Sequence, residues 1–518
     1  MAAAPGPDPA PASPPLELDD IQGLLARGYS GLTSACFLLL TITGHAAARS
    51  ALGRLARQVA NGRAEPPETA LNLAFTSDGL RRLGLDTPEI SGFSQEFVTG
   101  MADPDRSRLL GDVGENDPRH WLWGGPGTPP VHVLALLYAR DEPRLEALEA
   151  QVRRDALGAD GLTEIARLGT AELTDREPFG FRDGISQPLL EGLSKASRAA
   201  GGDEVVKAGE FVLGYPNEYG LLTERPLLPA SYDAAGLLPR AHDGPRLYDD
   251  PRPYDGPGAD FGRNGSYLVF RQFRQDLDGF RQYLQDATRH PDGTADPQAA
   301  GALAARMMGR WPSGAPLVRA PHQDDPGLAS DNDFGYFATD PEGLSCPLGA
   351  HVRRANPRDS LDPDPGSARS VAIGRRHRIL RRGRAYGPGS GAYGRAGDTA
   401  AGGPDSQNSP DSPDSQNSTS GSGLHFLCLN ANISRQFEFV QHTWLNNPHF
   451  NGLYDGPDPV AGARQDHRST FTAQARPVRT RYLDLPQFVY VQGGAYFFLP
   501  GLRALRYLCE GTRTDAGR

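Results

Sequence analysis

Three stretches of the chain carry residue types that could do chemistry together. The first, at 177–188, reads EPFGFRDGISQP, with Gly180 and Gly184 bracketing Asp183. Asp-Gly alone signals a turn, but this run adds aromatics and prolines that a turn does not need. Its glycines would let the backbone approach a flat ligand where a Cβ would block it. Asp183 would then face that ligand from a constrained loop. The second, at 345–358, reads SCPLGAHVRRANPR and places His351 after small residues and ahead of Arg353, Arg354 and Arg358. A lone histidine is commonly structural or on the surface; here the small neighbours would admit a bulky planar cofactor. Nearby arginines suit anionic groups such as carboxylates. The third, at 375–387, is RRHRILRRGRAYG, in which six of thirteen side chains are arginines. It reads as a solvated basic face, as a nucleic-acid patch, or, through Ile379-Leu380-Arg381, as a strand carrying an arginine into a site.

The elements that would position these groups follow from hydrophobic pattern. Apolar runs at 36–42, 71–76, 131–139, 266–273, 423–429 and 496–499 predict strands, and 46–60, 77–83, 142–154, 277–288 and 433–444 predict helices. Strand and helix alternate in each half, which points to an α+β fold of two ferredoxin-like domains with antiparallel sheets and peripheral helices. The expected division is a disordered Pro/Ala-rich tail at 1–18, an N-terminal domain at 19–205 and a C-terminal domain at 206–512. Residues 221–262 read as a long surface loop. Residues 388–423 hold almost no apolar side chains and repeat PDSQNS, so they form no core. They read as a flexible insert, or as a lid or partner-binding segment.

The chain has 518 residues, with 53 Lys+Arg against 63 Asp+Glu and a net charge of −10. This balance argues against binding nucleic acid through bulk charge. Glycine (62) and proline (46) make up about a fifth of the chain without periodicity, which excludes collagen and predicts many loops. Cys36, Cys346, Cys428 and Cys509 lie far apart, form no CxxC pair and read as buried thiols. The first twenty residues lack a cationic and an apolar signal segment, and the run at 35–42 is too short to cross a bilayer. A cytoplasmic protein with no membrane association is expected.

Taken in order, these stretches resemble the dye-decolorizing peroxidases, a haem enzyme family. The GxxDG motif stands at Gly180-Phe181-Arg182-Asp183-Gly184, followed by the His351 run, HRILRRG at 377–383 and GLHFLCLNANISRQFEF at 423–439. The resemblance extends from DIQG at 20–23 to GGAYFFLPGL at 493–502. It implies haem b (iron protoporphyrin IX) held mainly by the C-terminal domain, with His351 as the proximal iron ligand. It makes Asp183 the distal acid–base residue and Arg381 the distal arginine, with the adjacent Arg382 as the alternative. Gly180 and Gly184 would border the haem, and Arg354 and Arg382 would stand among the positive islands that receive its carboxylates. Glu438 is the expected hydrogen-bond acceptor for the second nitrogen of His351.

The implied activity is reduction of hydrogen peroxide with one-electron oxidation of dyes or phenolic and aromatic donors. A haem-binding or iron-handling protein with little turnover is the alternative, but a carrier needs neither Asp183 nor Arg381. Family members commonly self-associate, so a homo-oligomer is admissible. Carboxylates as a class titrate near ~4 and histidine near ~6.5, so a carboxylate in the acid–base role implies an acidic optimum. Bulky dyes would exceed a buried pocket, and Trp121, Trp123, Trp311, Trp444 and Tyr386 are candidates for oxidation at the surface.

Overall fold

The computed structural model describes residues 14–85, 87–158, 160–193, 205–241, 258–388, 421–464 and 469–510. In the N-terminal half, Ser34–Ile42 (β1), Thr69–Phe75 (β2), Val133–Ala139 (β3) and Leu162–Gly169 (β4) form the order β2-β3-β1-β4, all neighbours antiparallel. Helices His45–Ala56 (α1) and Glu142–Ala156 (α2) follow β1 and β3. This is the split βαβ arrangement of a ferredoxin-like unit. Asp141 caps α2 by accepting the Arg144 N–H at 3.1 Å. Leu145, Leu148, Val152 and Ala156 then fall on one face and are buried. β1 and β3 are apolar at nearly every position because both faces of the sheet are covered.

The second half repeats this order with larger connections. Its strands are Ser266–Gln275 (β5), Leu380–Arg381 (β6), Arg384–Tyr386 (β7), Gly423–Asn430 (β8) and Val489–Leu499 (β9). Both β6 and β7 pair with β8, β8 with β5, and β5 with β9. Leu277–Ala287 (α3) follows β5, then Pro297–Met308 (α4) and the five-residue helix His351–Ala355 (α5); Leu502–Glu510 (α6) closes the described chain. The segment expected as a helix at 433–444 instead makes wide π turns over Ser434–Glu438 and Val440–Leu445, a geometry common at functional sites.

The two halves share one nine-stranded sheet, joined between β9 and β2 through a single residue pair, Phe498 with Phe75. Gln22 of the DIQG stretch completes this thin seam. Its amide donates to the carbonyls of Leu73 (2.8 Å) and Pro500 (3.0 Å) and accepts the Leu73 N–H (3.0 Å).

Three segments differ from expectation. Residues 14–18, assigned to a tail, are anchored: Glu17 pairs with Arg263 at 2.7 Å, and Leu16 and Leu18 pack against the core. The stretch at 221–262 is not simply a surface loop, since Leu228 and Phe261 are buried and Arg225 pairs with Asp260 at 2.7 Å in the interior. Its residues 242–257 lie outside the described residues. So do 389–420 of the low-complexity insert and 1–13 of the tail. The flanks of the insert, β7 and β8, are antiparallel neighbours, so it leaves and returns at adjacent strand ends.

Candidate functional site

One face of the C-terminal half of the sheet is left partly uncovered, and a large cavity lies there. Its floor comes from alternate residues of three strands: Phe273 and Gln275 of β5, Leu424 and Phe426 of β8, and Val489 of β9. The π-turn segment supplies Phe437, Val440 and Leu445, and α4 supplies Met308. The space it spans, counted out to the open mouth and including solvent there, is about 1650 Å³.

The polar groups stand on two walls, built by different elements. On one, His351 at the start of α5 meets Asp458, with Nδ1 3.0 Å from Oδ2. Asp458 is fully buried, and its other oxygen accepts the N–H groups of Val460 (2.9 Å) and Ala461 (2.7 Å). Burial alone would lower the pKa of His351, but the Asp458 carboxylate outweighs it and holds the imidazole above its ordinary value. Among the described residues, no hydrogen-bond partner meets the other ring nitrogen, Nε2. On the other, Asp183 accepts a hydrogen bond from Arg381 Nη1 at 2.9 Å. Both side chains are partly exposed to the cavity.

Local chemistry explains how the sequence builds the Asp183 wall. Phe179 and Phe181, on either side of Gly180, are buried, and Phe179 packs on Phe280 of α3 with ring centroids 4.7 Å apart. Gly184 lines the cavity at φ +79°, a left-handed conformation that glycine adopts without strain. A Cβ added there meets nothing within 4 Å, so the backbone borders open space. Gln187 clasps the backbone of Arg381, donating to its carbonyl and accepting its N–H, both at 3.1 Å. Arg378 donates to the Ser186 carbonyl at 2.9 Å. The Asp183 loop and the Arg381 strand, nearly two hundred residues apart, are thus locked together.

Of the other residues singled out in the sequence, Gly180 adopts φ +95° within the same turn but does not line the cavity. Arg382 faces the opposite side of the strand from Arg381, as adjacent strand residues must. Its guanidinium donates to the carbonyls of Leu24 (2.8 Å) and Leu25 (3.1 Å). Arg354 also lies away from the cavity. It is fully buried and donates to the carbonyls of Trp444 (2.7 Å), Asn447 (3.0 Å) and Gly456. It therefore ties α5 to the loop that carries Asp458 and is not available to a cofactor carboxylate. The arginines that do line the cavity are Arg182, Arg310, Arg358, Arg378 and Arg381. The arginine-rich stretch is therefore not one basic face.

Glu438 is not the partner of His351. It accepts the hydroxyl of Tyr496 and a hydrogen bond from Arg106, both at 2.8 Å. The partner, Asp458, lies 107 residues beyond His351, in a GPDPVAG loop whose sequence marks only a turn. Glu177 was also missed. It lines the cavity and accepts the N–H groups of Phe179 and Phe181 and the amide of Gln275, each at 3.0 Å. Burial, reinforced by the nearby charge of Asp183, pushes its pKa up to about 7. The five aromatic candidates for surface oxidation are all buried, at no more than 9% exposure.

No protein-family model matches the chain. Peroxidase 2 of Mycetinis scorodonius is 30% identical over 529 residues, spanning 96% of this chain and 88% of the relative. The chain belongs to the dye-decolorizing peroxidase family. The dye-decolorizing peroxidase of Mycena epipterygia is likewise 30% identical, across 85% of this chain and 76% of its own. Among solved structures, that of the Auricularia auricula-judae dye-decolorizing peroxidase has a TM-score of 0.70 at 25% identity, covering 96% of this chain and 99% of the other. An ancestral D-type dye-decolorizing peroxidase also gives 0.70 at 25%, covering 95% and 99%.

Membership makes this chain an oxidoreductase that uses peroxide, with haem as its cofactor, and favours the enzyme over a haem carrier. The cavity suits that group. His351 offers one nitrogen toward an apolar-walled space, and Arg310 and Arg358 flank it with positive charge. Among the described residues, no cluster of three or more His, Cys, Asp or Glu side chains could hold a bare metal ion. Among the same residues, no helix is long and apolar enough to cross a membrane.

The contact between His351 and Asp458 yields a prediction. Partners that fix the tautomer of a ligating histidine are typically worth 10–100-fold in affinity or activity. Asp458→Asn is expected to weaken haem retention or peroxide turnover by about that factor, with a shifted iron–histidine stretch in the Raman spectrum. An unchanged stretch and unchanged haem affinity would show that Asp458 does not orient the ligand.

Proposed function

We propose that this dye-decolorizing peroxidase holds haem b through His351 and uses Asp183 and Arg381 to reduce hydrogen peroxide at the expense of phenolic, aromatic or dye donors. The observation that carries the reading is that one cavity is lined both by His351, paired with Asp458, and by the Asp183–Arg381 pair. Haem, when bound, supplies the redox chemistry: peroxide takes two electrons and two donor molecules return them one at a time. Asp458 keeps the proton on Nδ1 of His351, leaving Nε2 as the iron ligand. Asp183 accepts a proton from one peroxide oxygen and returns it to the other, which leaves as water. Arg381 holds the Asp183 carboxylate in place and stabilises negative charge on the departing oxygen. Gly184 leaves the cavity side of the loop open, while Gly180 shapes the turn behind it. Overall, one peroxide and two phenols give two waters and two phenoxyl radicals.

Several further features support the finer parts of this reading. Among the described residues no cysteine lines the cavity, so haem vinyl groups meet no thiol there, which suits non-covalently held haem b. The four cysteines are free, which fits a reducing compartment and the cytoplasm as the place of action. The repeated strand order supports a division near residues 205–206 into two ferredoxin-like domains. One solved relative is described in complex with 2,6-dimethoxyphenol, which makes that phenol the donor to try first. The haem-loaded protein is expected to oxidise it, and a test dye, only when peroxide is added. A protein that binds haem, gives a Soret band and turns over neither donor would refute the proposal.

A further inference from the structure

We propose that Arg464 is a positioning residue for His351: together with Arg354 it sets buried positive charge beside Asp458 and so limits how strongly that carboxylate draws on the imidazole. This rests on the peroxidase reading above and deepens it, since the quantity it would set is the reduction potential of the haem iron. Three observations support it.

The first is how the loop that carries Asp458 is held. Arg464 donates through Nη2 to the carbonyls of Asp458 (3.2 Å) and Pro459 (2.7 Å). Arg354 reaches the same loop two residues earlier, at the Gly456 carbonyl. Its other nitrogens donate to the carbonyls of Gly349 (3.2 Å), Trp444 and Asn447. Both guanidinium groups thus adjoin Asp458 while bonding to backbone.

The second is burial without a dedicated countercharge. Arg354 is fully buried and Arg464 is 6% exposed. Among the described residues no carboxylate pairs with either guanidinium, and the carboxylate whose charge reaches both is that of Asp458. Burial pulls each pKa down to about 10 against that attraction, which leaves both cationic at neutral pH. A buried cation is costly unless an anion offsets it. Here one carboxylate serves two guanidinium groups and the imidazole.

The third is an excess of donors. Nε and Nη1 of Arg464 are buried and have no hydrogen-bond partner among the described residues. Holding the loop takes only Nη2, and a neutral amide could supply such a donor. Unpaired buried polar groups are rare and costly. What arginine adds over a neutral donor at this position is its charge.

That charge has a direction of effect. The hydrogen bond from Nδ1 to Asp458 raises the basicity of His351 as a ligand. One Asp458 oxygen is already drawn on by the N–H groups of Val460 and Ala461. Positive charge beside the carboxylate stabilises its electrons further and makes it a weaker acceptor for the imidazole. A less electron-rich ligand disfavours ferrous iron less. Removing the charge should therefore bias the iron toward the ferric state.

The test uses the haem-loaded protein and two readouts other than turnover: the ferric–ferrous midpoint potential and the iron–histidine stretch. Arg464→Met is expected to shift the ferric–ferrous equilibrium about tenfold toward ferric, the low end of what partners of a ligating histidine are worth. For one electron that is a fall of about 59 mV. The stretch should move to higher frequency. Arg464→Lys, which keeps the charge and a donor, should restore both. In the Asp458→Asn background, Arg464→Met should hardly move the stretch, because the acceptor it acts through has lost its charge.

An unchanged potential and stretch in R464M would overturn the proposal. So would a stretch moved to lower frequency, as expected if the loop were merely displaced, an R464K that matches R464M, or an undiminished shift in the Asp458→Asn background. Should R464M fail to fold, Arg464→Gln takes its place with the same expected result. If neither neutral variant folds, the charge serves stability and the role is refuted. A wild type that forms a Soret band and turns over peroxide keeps the peroxidase reading intact whatever the outcome for Arg464.

Discussion

His351→Ala is expected to cost this protein at least about 100-fold in kcat/KM for hydrogen peroxide and to abolish or displace its Soret band. Changes in residues that merely orient a ligating histidine already cost 10–100-fold, and here the ligand itself is removed. No neighbour can replace it. Among the described residues no other histidine and no cysteine lines the cavity, and Asp458 is fully buried with both oxygens engaged. Collapse of the fold is not the expected cause. The cavity is walled by sheet and π-turn residues that do not depend on the imidazole, and Arg354 anchors α5 separately. The measurement is a haem titration followed by absorbance, alongside far-UV circular dichroism. A variant with native circular dichroism and an unaltered Soret band would remove His351 from the iron.

The second large effect concerns Asp183 and Arg381. Asp183→Asn keeps size and can still accept the Arg381 hydrogen bond, so it removes proton transfer and little else. A loss of about 10²–10⁴ in peroxide reactivity is expected, the range for a positioned acid–base group. Arg381→Leu removes a charge that stabilises the departing oxygen, for which about 10²–10³ is typical. Stability should barely change. The pair is a third or more exposed to the cavity, and pairs of that kind contribute at most about 1 kcal/mol. The double variant should be little worse than Asp183→Asn alone, because the two residues act as a unit. Stopped-flow mixing with peroxide separates these outcomes. Full reactivity in both single variants would place the acid–base chemistry elsewhere.

Glu177 lines the same cavity as Asp183. Sequence reading ran through this residue as the first of the EPFGFRDG stretch and found no role for it. Nothing in its type or spacing reveals that it lines the cavity half-buried, held by Gln275; that depends on β5 bringing Gln275 beside it. The same limit explains Glu438 and Asp458. A glutamate following an apolar strand looked like the partner of His351, yet that segment turns it toward Tyr496 and Arg106. The true acceptor stands in a loop whose sequence marks only a turn.

Arg381 and Arg382 show where the boundary lies. Sequence placed an arginine-bearing strand at the site but could not choose between neighbours. The choice needed only the face of the strand, because side chains alternate, and β6 pairs with β8 in the register that turns Arg381 inward.

What the sequence determined by itself was local or short in range. Runs of apolar residues set the strands, since burial on both faces demands them. Asp141 and Pro143 set a helix start, and glycine at position 184 allowed a left-handed turn. The residue types of Asp183, His351 and Arg381 announced their chemistry. What only the tertiary structure decided was long in range: which carboxylate meets His351, which arginines face the cavity, and how two halves share one sheet through a single strand pair and the side chain of Gln22. Those outcomes depend on distances between segments one hundred to several hundred residues apart. Such distances follow from packing and burial, which no single stretch of sequence encodes.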